Sequence, residues 1–134
     1  MESKPIIALV DDDKIFQLTT SRTIQAAKLT DKILQFENGE DALHFLRTHA
    51  TETDRLPDFI FLDINMPLVD GWMFLEDYAS LKYNLKKEIC IYMISSSIDP
   101  RDVNRAKHNE NVLEYIIKPV SSEKLIDLLK KTAA

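Results

Sequence analysis

Residues 58–72 read DFIFLDINMPLVDGW, and they carry the clearest indication of the fold. After Asp58 it carries four consecutive apolar residues, and the next polar residue is Asp63. A run that is apolar at every position is typical of a parallel strand covered on both faces, whereas a half-exposed strand alternates. Asp70 and Gly71 then open a segment with helical spacing that begins at Trp72. A buried strand followed by a helix predicts one βα unit of a parallel sheet.

The same alternation of strand-like and helix-like segments recurs along the chain. Strands rich in β-branched and aromatic residues are predicted at Pro5–Val10, Lys32–Phe36, Asp58–Leu62, Ile89–Ile94 and Val112–Ile117. Helices are predicted at Asp13–Leu29, with an apolar face of Phe16, Thr20, Ile24 and Ala27, at Glu40–His49, at Trp72–Leu81, after Asp99-Pro100, and after Ser121 or Ser122. The polar segment Thr48–Pro57 and the basic stretch Lys82–Lys87 are predicted as surface loops. Five βα units with right-handed crossovers predict an α/β fold, an open parallel sheet with helices on both faces.

The composition limits the class of protein. The 134 residues are enough for one domain that buries a core without a disulfide or a structural metal. Seventeen basic and 22 acidic residues give a net charge of −5, which argues against a nucleic-acid-binding domain. The single cysteine, Cys90, excludes an internal disulfide. No apolar run approaches the roughly 20 residues of a membrane span, and no secretion signal begins the chain, so we expect a cytoplasmic protein without a membrane partner.

Polar residues follow the strands at the edge of the sheet where ligands bind in open α/β folds. The first strand ends in Asp11–Asp13, the third in Asp63, the fourth in Ser95–Ser97 and the fifth in Lys118-Pro119. Carboxylates gathered in a cleft repel one another, so a site that tolerates them favours a bound cation, and oxygen ligands suit Mg²⁺. Lysine and serine side chains beside it can hold phosphoryl oxygens, and one carboxylate can act as the nucleophile. The edge therefore has the groups needed for phosphoryl transfer.

The chain resembles the receiver domain of two-component response regulators and is similar to the chemotaxis response regulator. The resemblance covers essentially the whole chain and is carried, in order, by ALVDDDK, DFIFLDINMPLVDGW, YMISSS and EYIIKP. It implies a flavodoxin-like, doubly wound (βα)5 fold, a three-layer sandwich with strand order 2-1-3-4-5. Residues 1–134 would form a single receiver domain of the stand-alone type.

The resemblance implies a role for each acidic residue of the edge. Asp63 would be the phosphoacceptor. Asp12 would bind Mg²⁺ or Mn²⁺ directly and Asp11 would support the ion, partly through water. Asp63 and the backbone carbonyl of Asn65 would complete the metal site.

The resemblance also implies how the phosphoryl group is held and how the domain switches. Ser95 would donate a hydrogen bond to it, and Lys118 would pair with another of its oxygens. A cis peptide between Lys118 and Pro119 would place the ammonium over the site. Tyr115 would be the aromatic switch, which turns inward when Ser95 moves toward the phosphate.

The partners follow from the same resemblance. A histidine kinase or a histidine phosphotransfer protein would supply the phosphoryl group, and an unknown downstream protein would receive the signal. The face formed by the fourth helix, the fifth strand and the fifth helix would be the readout surface and a candidate for homodimerisation. The domain would not be an enzyme beyond its own phosphorylation and autodephosphorylation.

Two other functions stay open on the sequence alone. Asp11 and Asp13 also resemble the Asp-x-Asp of haloacid-dehalogenase-like phosphatases, in which Asp11 would be the nucleophile and Asp13 the general acid. That family needs a further acidic pair for Mg²⁺ after the lysine, and only Glu123 and Asp127 follow it. A pseudo-receiver would bind partners without phosphorylation. Asp13 could simply cap the first helix, and Tyr115 could be an ordinary half-exposed aromatic residue of a strand.

Overall fold

One parallel sheet of five strands forms the centre of the structure, a computed structural model that describes residues 4–131. The strands are β1 (Ile7–Val10), β2 (Ile33–Phe36), β3 (Phe59–Leu62), β4 (Cys90–Ser95) and β5 (Val112–Ile117). They pair in the order β2-β1-β3-β4-β5. The predicted α/β fold and its strand order are therefore confirmed.

Within residues 4–131, five α-helices connect and follow the strands. They are α1 (Lys14–Ala26), α2 (Gly39–Thr48), α3 (Gly71–Leu81), α4 (Pro100–Lys107) and α5 (Ser122–Lys131). The first four begin after a residue whose side chain accepts a backbone N–H, namely Asp13, Asn38, Asp70 and Asp99. The hydroxyl of Ser121 accepts the Lys124 N–H in the same way. None of the helices within residues 4–131 has the length and apolar character needed to cross a bilayer.

The structure corrects three details of the predicted elements. The first helix ends at Ala26 and not at Leu29, because Lys28 adopts a left-handed conformation with a φ of 57°. The basic segment predicted as a loop begins with a short 3-10 helix, Lys82–Asn84. The buried face of α1 consists of Gln17, Thr20 and Ile24, so a polar residue occupies a position that the apolar pattern did not include.

Each face of the sheet has its own core. Ala8 and Val10 of β1 pack with α2, α3 and α4 on one face, whereas Ile7 and Leu9 pack with α1 and α5 on the other. All four residues are at most 1% exposed, as the two-sided burial of a central strand requires. This three-layer arrangement leaves the carboxyl ends of the strands as the edge where polar side chains meet.

Candidate functional site

Three carboxylates meet at the carboxyl ends of β1 and β3. The two strands are neighbours, and the Asp63 N–H donates to the Val10 carbonyl at 3.0 Å, which places Asp63 beside Asp11. One carboxylate oxygen from each of Asp11, Asp12 and Asp63 lies within 4.8 Å of the others. Asp11 and Asp63 are only 1% and 6% exposed, whereas Asp12 is exposed. The structure thus brings together the three acids that the sequence predicted as one cluster.

The two buried acids of this cluster are fixed by backbone amides. Asp11 Oδ1 accepts the Asp13 N–H at 2.9 Å, and Asp63 Oδ1 accepts the Ile64 N–H at 2.8 Å. Asp11 Oδ2 receives no directed hydrogen bond from the described residues and lies 2.8 Å from Lys118 Nζ, which makes that contact an ion pair. Each carboxylate therefore has one oxygen held by the main chain.

Lys118 is the cation of the site. It follows β5, and its peptide bond to Pro119 is cis, as the resemblance implied. Its Nζ also lies 3.7 Å from Asp13 Oδ2 and 3.9 Å from Asp63 Oδ2, and 4.5 Å from the centre of the Phe16 ring. The Lys118 ammonium therefore interacts with three carboxylates, those of Asp11, Asp13 and Asp63, and not with one alone.

The electrostatics of the cluster favour a further positive charge. Burial raises the pKa of Asp11 to about 6, and the ion pair with Lys118 offsets this only in part. Burial also raises the pKa of Asp63 above its ordinary value, against the opposing effects of Lys118 and the Ile64 amide. Burial alone would lower the pKa of Lys118, but the carboxylates, Asp11 foremost, raise it overall. Three clustered carboxylates with one shared ammonium fit a hard divalent cation, which prefers oxygen ligands.

Ser95 closes the site on the other side. It ends β4 and is fully buried, and its hydroxyl accepts the Ser97 N–H at 3.2 Å. Its carbonyl accepts the Lys118 N–H at 2.9 Å, which links the ends of β4 and β5. The serine hydroxyl and the lysine ammonium are therefore carried by two strands that are tied together at this point.

Tyr115 is connected to the loop after Ser95. Its side chain is half-buried, and its hydroxyl donates to the Ser97 carbonyl at 2.8 Å. Ser97 Oγ in turn donates to Asp102 Oδ2 at 2.6 Å, in the first turn of α4. Sequence reasoning did not identify Asp102, since its contact depends on how this loop folds. Tyr115 is thus linked to the serine loop, and that loop is linked to α4.

Both glycines of the chain pack against the loop that follows Asp63. A Cβ atom on Gly71 would lie 2.4 Å from the Asp63 carbonyl oxygen, and the Gly71 N–H donates to the Ile64 carbonyl at 2.8 Å. A Cβ atom on Gly39 would lie 2.7 Å from the Val69 carbonyl oxygen. Sequence reasoning used Gly71 only as a helix start. The signal that could have identified it is that the chain has only two glycines, each at the first residue of a helix.

The remaining predicted residues lie at the margin of the site. Asn65 is exposed in the loop after β3, two residues beyond Asp63. The Asp13 carboxylate accepts the N–H groups of Ile15 and Phe16 at 3.0 and 3.1 Å, so it caps α1. Glu123 and Asp127, the acids that follow Lys118, are exposed on α5. They do not belong to the acidic cluster, which among residues 4–131 consists of Asp11, Asp12 and Asp63.

Comparison with known proteins gives consistent matches. The family model described as the response regulator receiver domain matches residues 7–130. The probable methanogenesis regulatory protein FilR2 of Methanothrix harundinacea is 31% identical over 121 residues, which cover 90% of this chain and 76% of that protein. The chain spans only 15%, 50% and 49% of the length of three other curated relatives.

Solved structures extend the likeness to the whole fold. The crystal structure of a two-component response regulator from Cytophaga hutchinsonii has a TM-score of 0.84 and 28% identity, and the match covers 96% of this chain and 97% of that one. The phosphorylated cyanobacterial phytochrome response regulator RcpA has a TM-score of 0.74 and 25% identity, with coverage of 96% and 91%. The fold and the sequence therefore point to the same group of proteins.

Proposed function

The chain belongs to the response regulator receiver domain family of two-component signalling, and from this premise we propose that Asp63 is its phosphoacceptor. The observation that carries the proposal is the position of Asp63 at the end of central strand β3. One of its carboxylate oxygens is held by the Ile64 amide. Asp11 and Ser95 come from the ends of the neighbouring strands β1 and β4, and Lys118 follows β5 at the same edge. This leaves a fixed nucleophile between acidic and phosphate-binding groups.

A divalent cation, Mg²⁺ or Mn²⁺, belongs to this proposal. The carboxylates of Asp11, Asp12 and Asp63 would hold it, together with the backbone carbonyl of Asn65. When bound, the ion neutralises negative charge between the carboxylates and the incoming phosphoryl oxygens. Asp12, the exposed member of the cluster, gives the ion an accessible ligand.

The phosphodonor in the proposal is a histidine kinase or a histidine phosphotransfer protein. A carboxylate oxygen of Asp63 attacks the phosphorus, the P–N bond of the phosphohistidine breaks, and the released imidazole takes up a proton. The products are the acyl phosphate on Asp63 and a neutral histidine on the donor. Lys118 and the Ser95 hydroxyl would pair with the oxygens of the transferred group.

The phosphoryl group would act through charge. It brings nearly two negative charges and strong acceptor oxygens, which draw Ser95 and Lys118 toward it. Because the loop after Ser95 binds the Tyr115 hydroxyl and Asp102, its movement would reach the surface of α4, β5 and α5. A downstream protein would read that surface. Homodimerisation through it, a single domain over residues 1–134 and a cytoplasmic location remain predictions.

The phosphatase alternative is not favoured. The family match covers residues 7–130, and Asp13, which would have to be the general acid, caps α1 with its carboxylate. The pseudo-receiver alternative is not favoured either, since the acidic cluster, the serine and the lysine are all present at one edge.

Incubation with acetyl phosphate and MgCl₂, followed by mass spectrometry of the modified peptide, tests the proposal. We expect phosphate on Asp63, none in Asp63→Asn, and normal incorporation in Asp127→Asn, which changes an exposed acid on α5. Phosphate mapped to Asp11 would instead support the phosphatase-like chemistry. Failure of the wild-type protein to be modified would support a pseudo-receiver.

A further inference from the structure

Gln17 is a buried polar residue directly behind the acidic cluster. It lies near the start of α1 and is 7% exposed. Its side-chain Nε2 is within hydrogen-bonding distance of three backbone carbonyls, those of Leu9 at 3.1 Å, Asp11 at 3.0 Å and Phe36 at 3.1 Å. The amide therefore joins α1 to the carboxyl ends of β1 and β2 at one point.

The three carbonyls fix the orientation of the Gln17 amide. The opposite orientation would place the oxygen Oε1 against three acceptors, with no donor to satisfy them. Oε1 accepts no hydrogen bond from the described residues. The side chain consequently acts as a donor group.

One of these carbonyls belongs to the peptide that joins Asp11 to Asp12. The Asp11 N–H donates to the Phe36 carbonyl at 3.0 Å, so the peptide before Asp11 is held by β2. The peptide after Asp11 is held by Gln17. Together these hydrogen bonds orient the two peptide planes that flank Asp11, and with them the directions in which the Asp11 and Asp12 side chains leave the backbone. Gln17 contributes to this without contacting a carboxylate.

We infer that Gln17 is a positioning residue of the acidic site, which orients the Asp11–Asp12 peptide and thereby sets the affinity for a divalent cation. The inference rests on the proposed function, since it assigns a metal to the cluster. Gln17 does not bind the ion itself but holds the backbone that carries the ligands. At other metal sites, removing such an orienting partner lowers the metal affinity about 10- to 100-fold.

Gln17→Met tests the inference, because methionine has nearly the same length and no donor. Thr20→Val is the matched control, since Thr20 is also 7% exposed and lies on the same buried face of α1. We expect Gln17→Met to raise the dissociation constant for Mg²⁺, measured by titration calorimetry, about 10-fold. In the metal-free protein the Asp13 amide, which donates to Asp11 Oδ1, should exchange its hydrogen faster in this variant only. Thr20→Val should leave both measurements unchanged.

Gln17→Glu provides an independent test, because the two explanations predict opposite changes in Mg²⁺ affinity. It keeps the shape of the side chain but replaces the donor with an acceptor that faces three carbonyls. A purely electrostatic effect of one more negative charge would strengthen Mg²⁺ binding, whereas loss of positioning weakens it. Wild-type Mg²⁺ affinity in Gln17→Met, tighter binding in Gln17→Glu, or an equal loss in Thr20→Val would overturn the inference.

These outcomes are separate from those that test the phosphoacceptor. Mg²⁺ affinity and amide exchange are measured without any phosphodonor, so they do not depend on which acid is modified. If Asp63→Asn still incorporated phosphate, the proposed function would fail while the Gln17 result stood. If Gln17 had no effect on Mg²⁺ affinity, the positioning role would fail while the mapping of phosphate to Asp63 stood.

Discussion

The carboxyl edge of the sheet has two halves that are held in different ways. The acidic half, Asp11, Asp12 and Asp63 after β1 and β3, is held mainly by hydrogen bonds of the strand ends. The Asp11 N–H donates to the Phe36 carbonyl and the Asp63 N–H to the Val10 carbonyl, and Gln17 adds its side-chain amide at the Asp11 carbonyl. The switch half, Ser95, Ser97 and Tyr115 on β4, β5 and the loop between β4 and α4, is joined by side-chain hydroxyls. Lys118 lies between them and contacts the acids.

This difference explains how one edge can be both a fixed site and a movable one. Hydrogen bonds of the strand ends belong to the sheet, so exchanging them disrupts the ladder on which the fold depends. A hydroxyl changes its partner by a rotation about one bond. The cost is about 1 kcal/mol for the neutral bond from Tyr115 to the Ser97 carbonyl and about 2 kcal/mol for the bond from Ser97 to the Asp102 carboxylate. The acidic half is therefore preorganised, and the switch half can respond.

The largest effect is expected from removing the cation that joins the two halves. Lys118→Met leaves Asp11, which is 1% exposed, without its ion-pair partner. We expect the free energy of unfolding to fall by about 3 kcal/mol at pH 7.5 without Mg²⁺. Urea unfolding measures this loss. In an Asp11→Asn background the same substitution should cost less than about 1 kcal/mol. An equal cost in both backgrounds would show that the two residues are not coupled.

A smaller effect is expected from crowding the backbone of the acidic half. Gly71→Ala places a Cβ atom against the Asp63 carbonyl, so the loop or α3 must shift. We expect a loss of about 2 kcal/mol in urea unfolding and a slower reaction with acetyl phosphate. Gly39→Ala is the control, because it crowds the same loop at Val69 and away from Asp63. It should destabilise the protein similarly and leave the reaction rate unchanged. Equal slowing in both variants would remove the special role of Gly71.

The acidic half should also make stability depend on pH. The pKa of Asp11 is about 6 in the folded protein, above its ordinary value of 3.8. Proton binding therefore favours the folded state, and this contribution is complete below pH 3.8 and is lost as the pH rises through 6. Relative to Asp11→Asn, the metal-free wild type should lose about 1 kcal/mol of unfolding free energy between pH 5 and pH 7. A constant difference across this range would mean that burial does not perturb Asp11.

The sequence was sufficient to predict the sheet and the gathering of the acids. Continuous apolar runs such as the one before Asp63 predict central strands, and the strand ends then share one edge whatever the loops do. The positions of Asp11, Asp12 and Asp63 directly after β1 and β3 were sufficient to predict that their side chains lie together. The cluster followed from the topology.

The contacts between elements that hold the side chains at the carboxyl edge of the sheet could not be predicted in this way. Gln17 interrupts the apolar face of α1 because its amide finds three carbonyls of other elements, and no local pattern contains those carbonyls. The Ser97–Asp102 contact depends on the path of the loop between β4 and α4. The tight approach of Gly71 to Asp63 depends on where α3 starts relative to β3. Each requires the relative placement of two elements.

The smallest effect on stability, and the most specific to the switch half, is expected from Asp102→Asn. It weakens the 2.6 Å contact from Ser97 Oγ, which is only half-buried. Unfolding free energy should change by less than about 1 kcal/mol. Hydrogen exchange in residues 96–99 should nevertheless accelerate, and reaction with acetyl phosphate should become about two- to fivefold faster, because the loop is released more easily.

The control for Asp102→Asn is Asp41→Asn, since each acid is the third residue of its helix. Both variants lose the same favourable charge near a helix N-terminus, worth about 0.5 kcal/mol. Only Asp102 contacts the serine loop, so only its variant should change exchange in residues 96–99 and the reaction rate. The same change in Asp41→Asn would trace the effect to helix charge. No change in Asp102→Asn would mean that the loop is held by the Tyr115 hydroxyl and the backbone, and the switch half would then be as fixed as the acidic half.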